Sequence, residues 1–265
     1  MRRTIPASPF TVTAIRAWQP PTPGSPDDWR TSLGQIIVEV ELDSGVTGLG
    51  VGGGGAASIH IIDNVIRSEL THKEFHTPLE IHESLCEFTS FYGLSGIVPM
   101  AISGIDLAIW DAYAKSHNMT VLGILNPATE INASCAMYQT VFDAAGAKLA
   151  VEQGMVAVKL HLGQFGSDPC VNRIEELIQR TRDVVGLECE LMLDAFGNWN
   201  VYTTRNVADR ICKYDIAWIE EPLLPQEIAS YTELCRDSPI PIAGGEHEYL
   251  INGFRRLIDA HAHDV

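Results

Sequence analysis

Asp194, Glu220 and Glu246 each follow a short apolar run, and the same 26-residue step separates the first from the second and the second from the third. In a chain that alternates strands and helices, equal steps sample one point of successive βα units. The three carboxylates are therefore predicted to project from adjacent strands at one end of a sheet. Three such groups in one small space repel each other unless a cation lies between them. Oxygen-only ligation selects a hard ion, Mg²⁺ first, with Mn²⁺ or Ca²⁺ next and zinc disfavoured. An ion with open positions can take a substrate carboxylate, acidify the proton on the neighbouring carbon and stabilise the resulting enediolate. The base falls to Lys159 or His161, which stand two apart on one strand and point the same way. Nearby positive charge lowers a lysine's pKa and fits it to accept a proton. Taken singly, each carboxylate is more simply a strand-end partner for Arg or Lys; three at matching positions favour the metal.

The elements that must carry these groups are visible downstream of residue 130. Strand-length apolar runs at 134–138, 156–160, 189–193, 216–219 and 240–243 alternate with amphipathic helices. In one of these, 168–185, Ile174, Leu177, Ile178, Thr181 and Val185 recur at three- and four-residue steps. Such alternation predicts a parallel sheet with right-handed crossovers, either doubly wound or a (β/α)8 barrel. Polar residues closing successive strands favour the barrel.

Upstream, runs at 10–18, 35–42 and 46–50 predict an antiparallel meander. The proline-rich stretch 20–28 predicts a mobile loop. From residue 56 to 125 the pattern is helical, and 97–114 is too densely apolar for a surface helix. Asn126-Pro127 ends that region. The expected fold is thus α/β: an N-terminal α+β domain over 1–130, then over 131–265 an incomplete (β/α) barrel of about five to six βα units.

Composition narrows the partners. The chain has 265 residues with 34 acidic against 18 basic side chains, a net charge of −16, and only five lysines. A nucleic-acid surface needs clustered cations, so a small molecule is the expected partner. The six cysteines, spaced far apart without a C-x-x-C pair, read as buried free thiols in a reducing compartment. Proline and serine interrupt the first residues, so no signal-peptide core is expected, and no 18-residue apolar run predicts a membrane span. The expectation is a cytoplasmic protein.

The segments Ser103-Gly-Ile-Asp-Leu-Ala-Ile-Trp-Asp111, Val158-Lys-Leu-His161, Leu193-Asp194, Trp218-Ile-Glu-Glu-Pro222 and Gly244-Gly-Glu-His-Glu248 resemble, in this order, the enolase superfamily. The resemblance is to its mandelate racemase and muconate lactonizing branch, most of all to acid-sugar dehydratases of the L-rhamnonate type. It implies a capping domain over a modified barrel, Asp194, Glu220 and Glu246 as Mg²⁺ ligands, and a base on the second barrel strand. It further implies an acid-sugar carboxylate as substrate, a homo-oligomer, and closure over the substrate by the loops around 20–28 and 50–55. The branch commonly carries Lys-x-Lys where this chain has Lys159 and His161, which leaves open which of the two takes the proton.

Residues 134–265 are too few for a barrel of this type, which needs about 200 residues or more. In related dehydratases later strands supply a His, assisted by an Asp, to protonate the departing hydroxyl. The expectation is that this chain alone does not complete the reaction and that its open sheet edges invite pairing or mark a fragment. Racemisation, epimerisation or cycloisomerisation remain alternatives to dehydration, as does an inactive scaffold.

Gly50-Val-Gly-Gly-Gly-Gly55 satisfies G-x-G-x-x-G and raises a dinucleotide-binding domain as a second hypothesis, although a glycine-rich flap fits better. His72 and His76 read as a solvated helical face. Asp106 and Asp111 are expected to satisfy buried backbone or arginine groups, Trp199 and Trp218 to pack, and Glu221 to turn to the opposite face of its strand. His247 and Glu248 are read either as groups that orient a ligand or as plain loop polarity.

Overall fold

The computed structural model describes residues 7–21, 33–126, 134–167 and 169–265. The chain forms two compact units, Met1–Ala133 and Ser134–Val265. The stretch 20–28 and the helix boundaries expected at Pro127 and Asp168 lie largely or wholly outside the described residues.

In the first unit β1 (Phe10–Trp18), β2 (Ile36–Leu42) and β3 (Thr47–Gly52) make the antiparallel meander. Alternation along β2 buries Ile36, Val38, Val40 and Leu42 and leaves Ile37, Glu39 and Glu41 partly exposed. A two-residue strand, β4 (Glu74–Phe75), adds to the outer edge of β1, and the order is β3-β2-β1-β4. Between β3 and β4, α1 (Gly55–Ile61) runs through a π-helical stretch (Ile62–Ile66) into α2 (Arg67–Leu70). His72, at φ 64, therefore lies in the turn after α2 and His76 lies beyond β4, so the two histidines do not share a helical face.

Next come α3 (Pro78–Thr89), α4 (Ile97–Ser116) and α5 (Val121–Leu125). Thr77 caps α3 by accepting from the Glu80 N–H, and proline takes a first-turn position whose N–H would have no helical partner. By length and composition α4 could cross a membrane, but 56% of that stretch is buried inside the protein, which makes it a core helix.

The glycine-rich segment serves that packing. A Cβ on Gly48 would stand 2.1 Å from the Ala108 carbonyl oxygen, and one on Gly50 would stand 2.2 Å from that of Gly104. One on Gly52 would meet Met100 O at 2.8 Å. Alternate glycines thus clear one face of β3 so that it lies directly against the α4 backbone. Gly50 and Gly52 are strand residues packed on a helix rather than part of a flap, and their strand is antiparallel, unlike the first strand of a dinucleotide fold.

The second unit runs β5 (Gln139–Val141), α6 (Ala144–Glu152), β6 (Ala157–His161), α7 (Val171–Val185), β7 (Glu190–Asp194), α8 (Val201–Ile211), β8 (Ile216–Glu220), α9 (Ile228–Asp237), β9 (Ile242–Ala243) and α10 (Leu250–Asp259). All four pairings are parallel, and spatial order equals chain order. A doubly wound sheet reverses direction at a switch point; this one does not, so it is an incomplete (β/α) barrel. β5 begins at Gln139, after the run expected to form it.

Strand alternation sorts the side chains. Val158, Leu160, Leu191 and Leu193 join the core with Ile174 and Ile178 of α7, while Lys159 and His161 take the other face of β6. Of the six cysteines only Cys189 is buried; Cys135, Cys170 and Cys212 are exposed and Cys86 and Cys235 intermediate, so the buried-thiol expectation fails for most.

Candidate carboxylate site

Register decides which side chains meet at the C-terminal end of the parallel sheet. His161 pairs with Asp194, and Asp194 with Glu220. The second pairing depends on an irregularity: Leu191 pairs with Ile216 but Leu193 with Ile219, so β8 carries one extra residue over that interval. Without it, Ile219 would stand opposite Asp194. The bulge puts a carboxylate there instead.

The side chains converge accordingly. Lys159, 7% exposed, places Nζ 2.6 Å from Glu220 Oε1 and 3.6 Å from Asp194 Oδ2. His161 Nδ1 lies 3.3 Å from the same Asp194 oxygen. The outer oxygens are also held, since Asp194 Oδ1 accepts from the Phe196 N–H at 3.0 Å and Glu220 Oε2 from the Trp218 indole at 3.4 Å. Each carboxylate thus turns one oxygen toward the basic pair and is braced through the other. Trp218 therefore does more than pack.

Burial disfavours the Lys159 ammonium, but its hydrogen bond to Glu220 and the charges of Glu220 and Asp194 outweigh that and hold it above the ordinary lysine range. The two carboxylates are thus what favours the charged form of Lys159 here. Its Nζ also lies 5.6 Å from the centroid of the Tyr138 ring. His161 sits between Phe142 and Phe196, edge-on to both, at centroid distances of 5.2 and 5.0 Å. Neither phenylalanine was singled out from sequence. The available signal was an apolar residue one or two places past a strand end, and both rings are more than half exposed.

Glu246 is placed differently from its two counterparts. Glu220 pairs with Ala243 of β9, and Glu246 lies three residues further on, in the turn beyond the strand. The equal 26-residue steps thus match positions for Asp194 and Glu220 only. Its side chain, 60% exposed, approaches His247 Nδ1 at 3.8 Å.

Glu221 borders a cavity with Tyr231 of α9 and Leu257 of α10, on the helix-facing side that alternation predicts. At φ 41 it breaks the strand geometry, is nearly buried, and meets His247 Nδ1 at 2.9 Å. Glu221, Glu246 and His247 offer ligand atoms all within 4.8 Å of one another. Burial raises the Glu221 carboxyl above the usual carboxylate range, against the pull of His247, with Glu246 and Asp194 adding to the rise. His247 thus pairs with Glu221, whereas Glu248 turns to Arg256 and the Tyr249 N–H.

In the first unit Asp111 accepts from the exposed Leu49 N–H and from Lys115, and Asp106 pairs with His82, so neither serves the buried backbone or arginine groups expected for them. Trp199 is packed and nearly buried.

Two family models match the chain: the mandelate racemase / muconate lactonizing enzyme N-terminal domain over residues 30–126, and the enolase C-terminal domain-like model over 143–265. The chain belongs to the mandelate racemase and muconate lactonizing enzyme family of the enolase superfamily. Among solved members, an enolase from Bradyrhizobium complexed with magnesium and mandelic acid is 25% identical with a TM-score of 0.83, over 97% of this chain and 73% of its own. The 3,6-anhydro-D-galactonate cycloisomerase from Zobellia galactanivorans is 27% identical with a TM-score of 0.82, over 96% and 70%. A rhamnonate dehydratase from Gibberella zeae complexed with Mg shares the fold at 22% identity and a TM-score of 0.81, over 96% and 70%. This superfamily's members thus include racemases, dehydratases and cycloisomerases.

Proposed function

We propose that this chain carries the proton-abstracting part of an acid-sugar dehydratase, removing the proton α to a substrate carboxylate so that the electron pair spreads into an enediolate. The observation that supports it most is the convergence of Lys159 and His161 on one oxygen of Asp194, directly across from Glu220. The donor set fits a hard dication. Two carboxylates already gather around one positive charge, the Lys159 ammonium, and both are oxygen donors. Asp194 and Glu220 would hold a magnesium ion, with Glu246, exposed in the turn beyond β9, as the third carboxylate. When bound, that ion would polarise the substrate carboxylate and make its α-proton acidic.

His161 is the base in this reading. Asp194 engages Nδ1, which leaves Nε2 for the substrate, and Gly163 has no side chain where a Cβ would stand 2.7 Å from that nitrogen. Lys159, on the same strand face as His161, places its side chain beside both carboxylates. Trp218 and the Phe196 N–H keep the carboxylates oriented. The free cysteines suit a reducing cytoplasm, and self-association is expected from the open sheet.

Exchange of the α-proton tests the base without requiring loss of the hydroxyl. The chain, incubated in D₂O with magnesium and a panel of acid sugars, should incorporate deuterium at C2, and His161→Asn should abolish that exchange. Exchange that survives His161→Asn, or that ignores magnesium, would overturn the reading. The 27% identity to a cycloisomerase favours cycloisomerisation as a second reading. Its mark is a product of unchanged mass, against the loss of water in dehydration.

A further inference from the structure

A second constellation lies in the first unit, between α3 and α4. His82 and Cys86 stand one helical turn apart on α3, and His82 Nε2 lies 3.6 Å from Cys86 Sγ. The other ring nitrogen, Nδ1, lies 3.4 Å from Asp106 Oδ1 on α4. The imidazole therefore bridges a carboxylate and a thiol in series. With Nδ1–H donating to Asp106, the Nε2 lone pair faces the S–H, which is the arrangement of a nucleophile, its base and the group that orients the base. Cys86 and the side chains of His82 and Asp106 are partly exposed, so a small molecule can reach the sulfur.

We propose that Cys86, His82 and Asp106 form a nucleophilic thiol relay, a site of covalent oxidation by small uncharged peroxides that is separate from the carboxylate site. His82 Nε2 takes the S–H proton as the sulfur attacks a peroxide oxygen. The S–O bond forms and the O–O bond breaks. Hydroxide leaves and takes the proton from His82 as water. Sulfur is oxidised by two electrons to the sulfenic acid and the peroxide is reduced. The reagent should be uncharged because the negative charges of Asp106, acting on the thiol, and of Glu83, acting on its base, disfavour an anion there.

The relay is needed because the thiol is not ionised at rest. Burial, and then the Asp106 charge, push Cys86 above the ordinary thiol range. The hydrogen bond that His82 donates to Asp106 is the largest influence on the imidazole and raises it despite burial, with the Asp106 and Glu83 charges adding to it, so the base is stronger than a free imidazole. Its titratable neighbours are Asp106 on α4 and Glu83 and Cys86 on α3.

The intact protein is treated with hydrogen peroxide in the presence of dimedone, and adducts are quantified by peptide mass spectrometry at Cys86 and at the exposed Cys135, Cys170 and Cys212. Cys86 should react several-fold faster than these three. His82→Gln should slow Cys86 by about tenfold or more while Cys212 is unchanged, as expected for loss of a general base, and Asp106→Asn should slow it less. Equal rates at Cys86 in the parent and His82→Gln, or a Cys86 rate no higher than at the exposed cysteines, would overturn the proposal. Should the variants misfold, the pH profile of the parent decides. With the relay the Cys86 rate rises through the His82 titration and levels off. Without it, the rate keeps rising past pH 9, the ordinary thiol value.

Discussion

Lys159 Nζ lies 2.6 Å from Glu220 Oε1, so the strongest polar contact at the end of the parallel sheet joins β6 to β8 across the intervening β7. The same ammonium reaches Asp194 on β7, and all three side chains are largely shielded from water.

Removing that charge leaves two shielded carboxylates facing one another. Lys159→Met should lower the stability of the protein by about 3 kcal/mol, the range for breaking a shielded pair from one side. Magnesium should then stabilise the variant more than the parent, because a competing cation has been removed. Thermal denaturation with and without magnesium measures both. An equal magnesium shift in the two proteins would mean that Lys159 does not occupy a cation-binding position.

The glycines of β3 make a sharper prediction. A methyl group on Gly50 would press on main-chain atoms, the Gly104 oxygen at 2.2 Å and the Ala108 nitrogen at 2.6 Å, which cannot swing away. Gly50→Ala should cost about 3 kcal/mol or more. Gly45, at φ +78 with no atom within 4 Å of its added Cβ, should cost only about 1 kcal/mol as alanine, from backbone strain. Urea denaturation followed by far-UV circular dichroism ranks the two.

Arg182 is nearly buried and has carbonyl groups, not carboxylates, around its guanidinium: Tyr214 at 3.0 Å, Gly186 at 2.7 Å, Cys189 at 2.6 Å and Asp215 at 2.7 Å. Its planar fork ties the end of α7 to the segments that lead into β7 and β8. Arg182→Met strands these acceptors and should cost about 3 kcal/mol or more, and Arg182→Lys should recover only part of it because one ammonium cannot span all four. Equilibrium unfolding of the two variants gives the comparison, and a fully stable lysine variant would show that the fork is dispensable.

His263 should make the protein acid-sensitive. Its ring packs on Tyr231 at a centroid distance of 4.6 Å, and its buried Nδ1 has no hydrogen-bond partner among the described residues. Burial holds it below the ordinary imidazole value of 6.5, against the pull of Asp264. The unfolded chain therefore takes up the proton first. Stability from the neutral ring is fully present above the unfolded value and is lost as pH falls from there through the folded one. His263→Phe, which keeps the stacking, should show a smaller loss of urea midpoint between about pH 7 and about pH 5 than the parent.

Much of this was legible in the chain itself. β1 matches its apolar run residue for residue, and α4 extends only two residues past the dense stretch that announced it, because long periodic burial patterns leave a strong local signal. Lys159, His161, Asp194 and Glu220 were marked by their positions at the ends of alternating elements. β4, two residues long, was not visible, since so short a strand exists only through its partner β1.

What the sequence by itself determined was the order of elements and the chemical types gathered at strand ends, because hydrophobic period and residue chemistry are local properties. The tertiary structure alone decided which of those groups touch. The extra residue in β8 aligns Glu220 with Asp194, the backbone of Glu221 turns that carboxylate to His247, and Glu246 falls beyond the end of β9. Spacing along the chain cannot register a bulge or a positive φ, since both are set by neighbouring strands and loops pressing on the backbone.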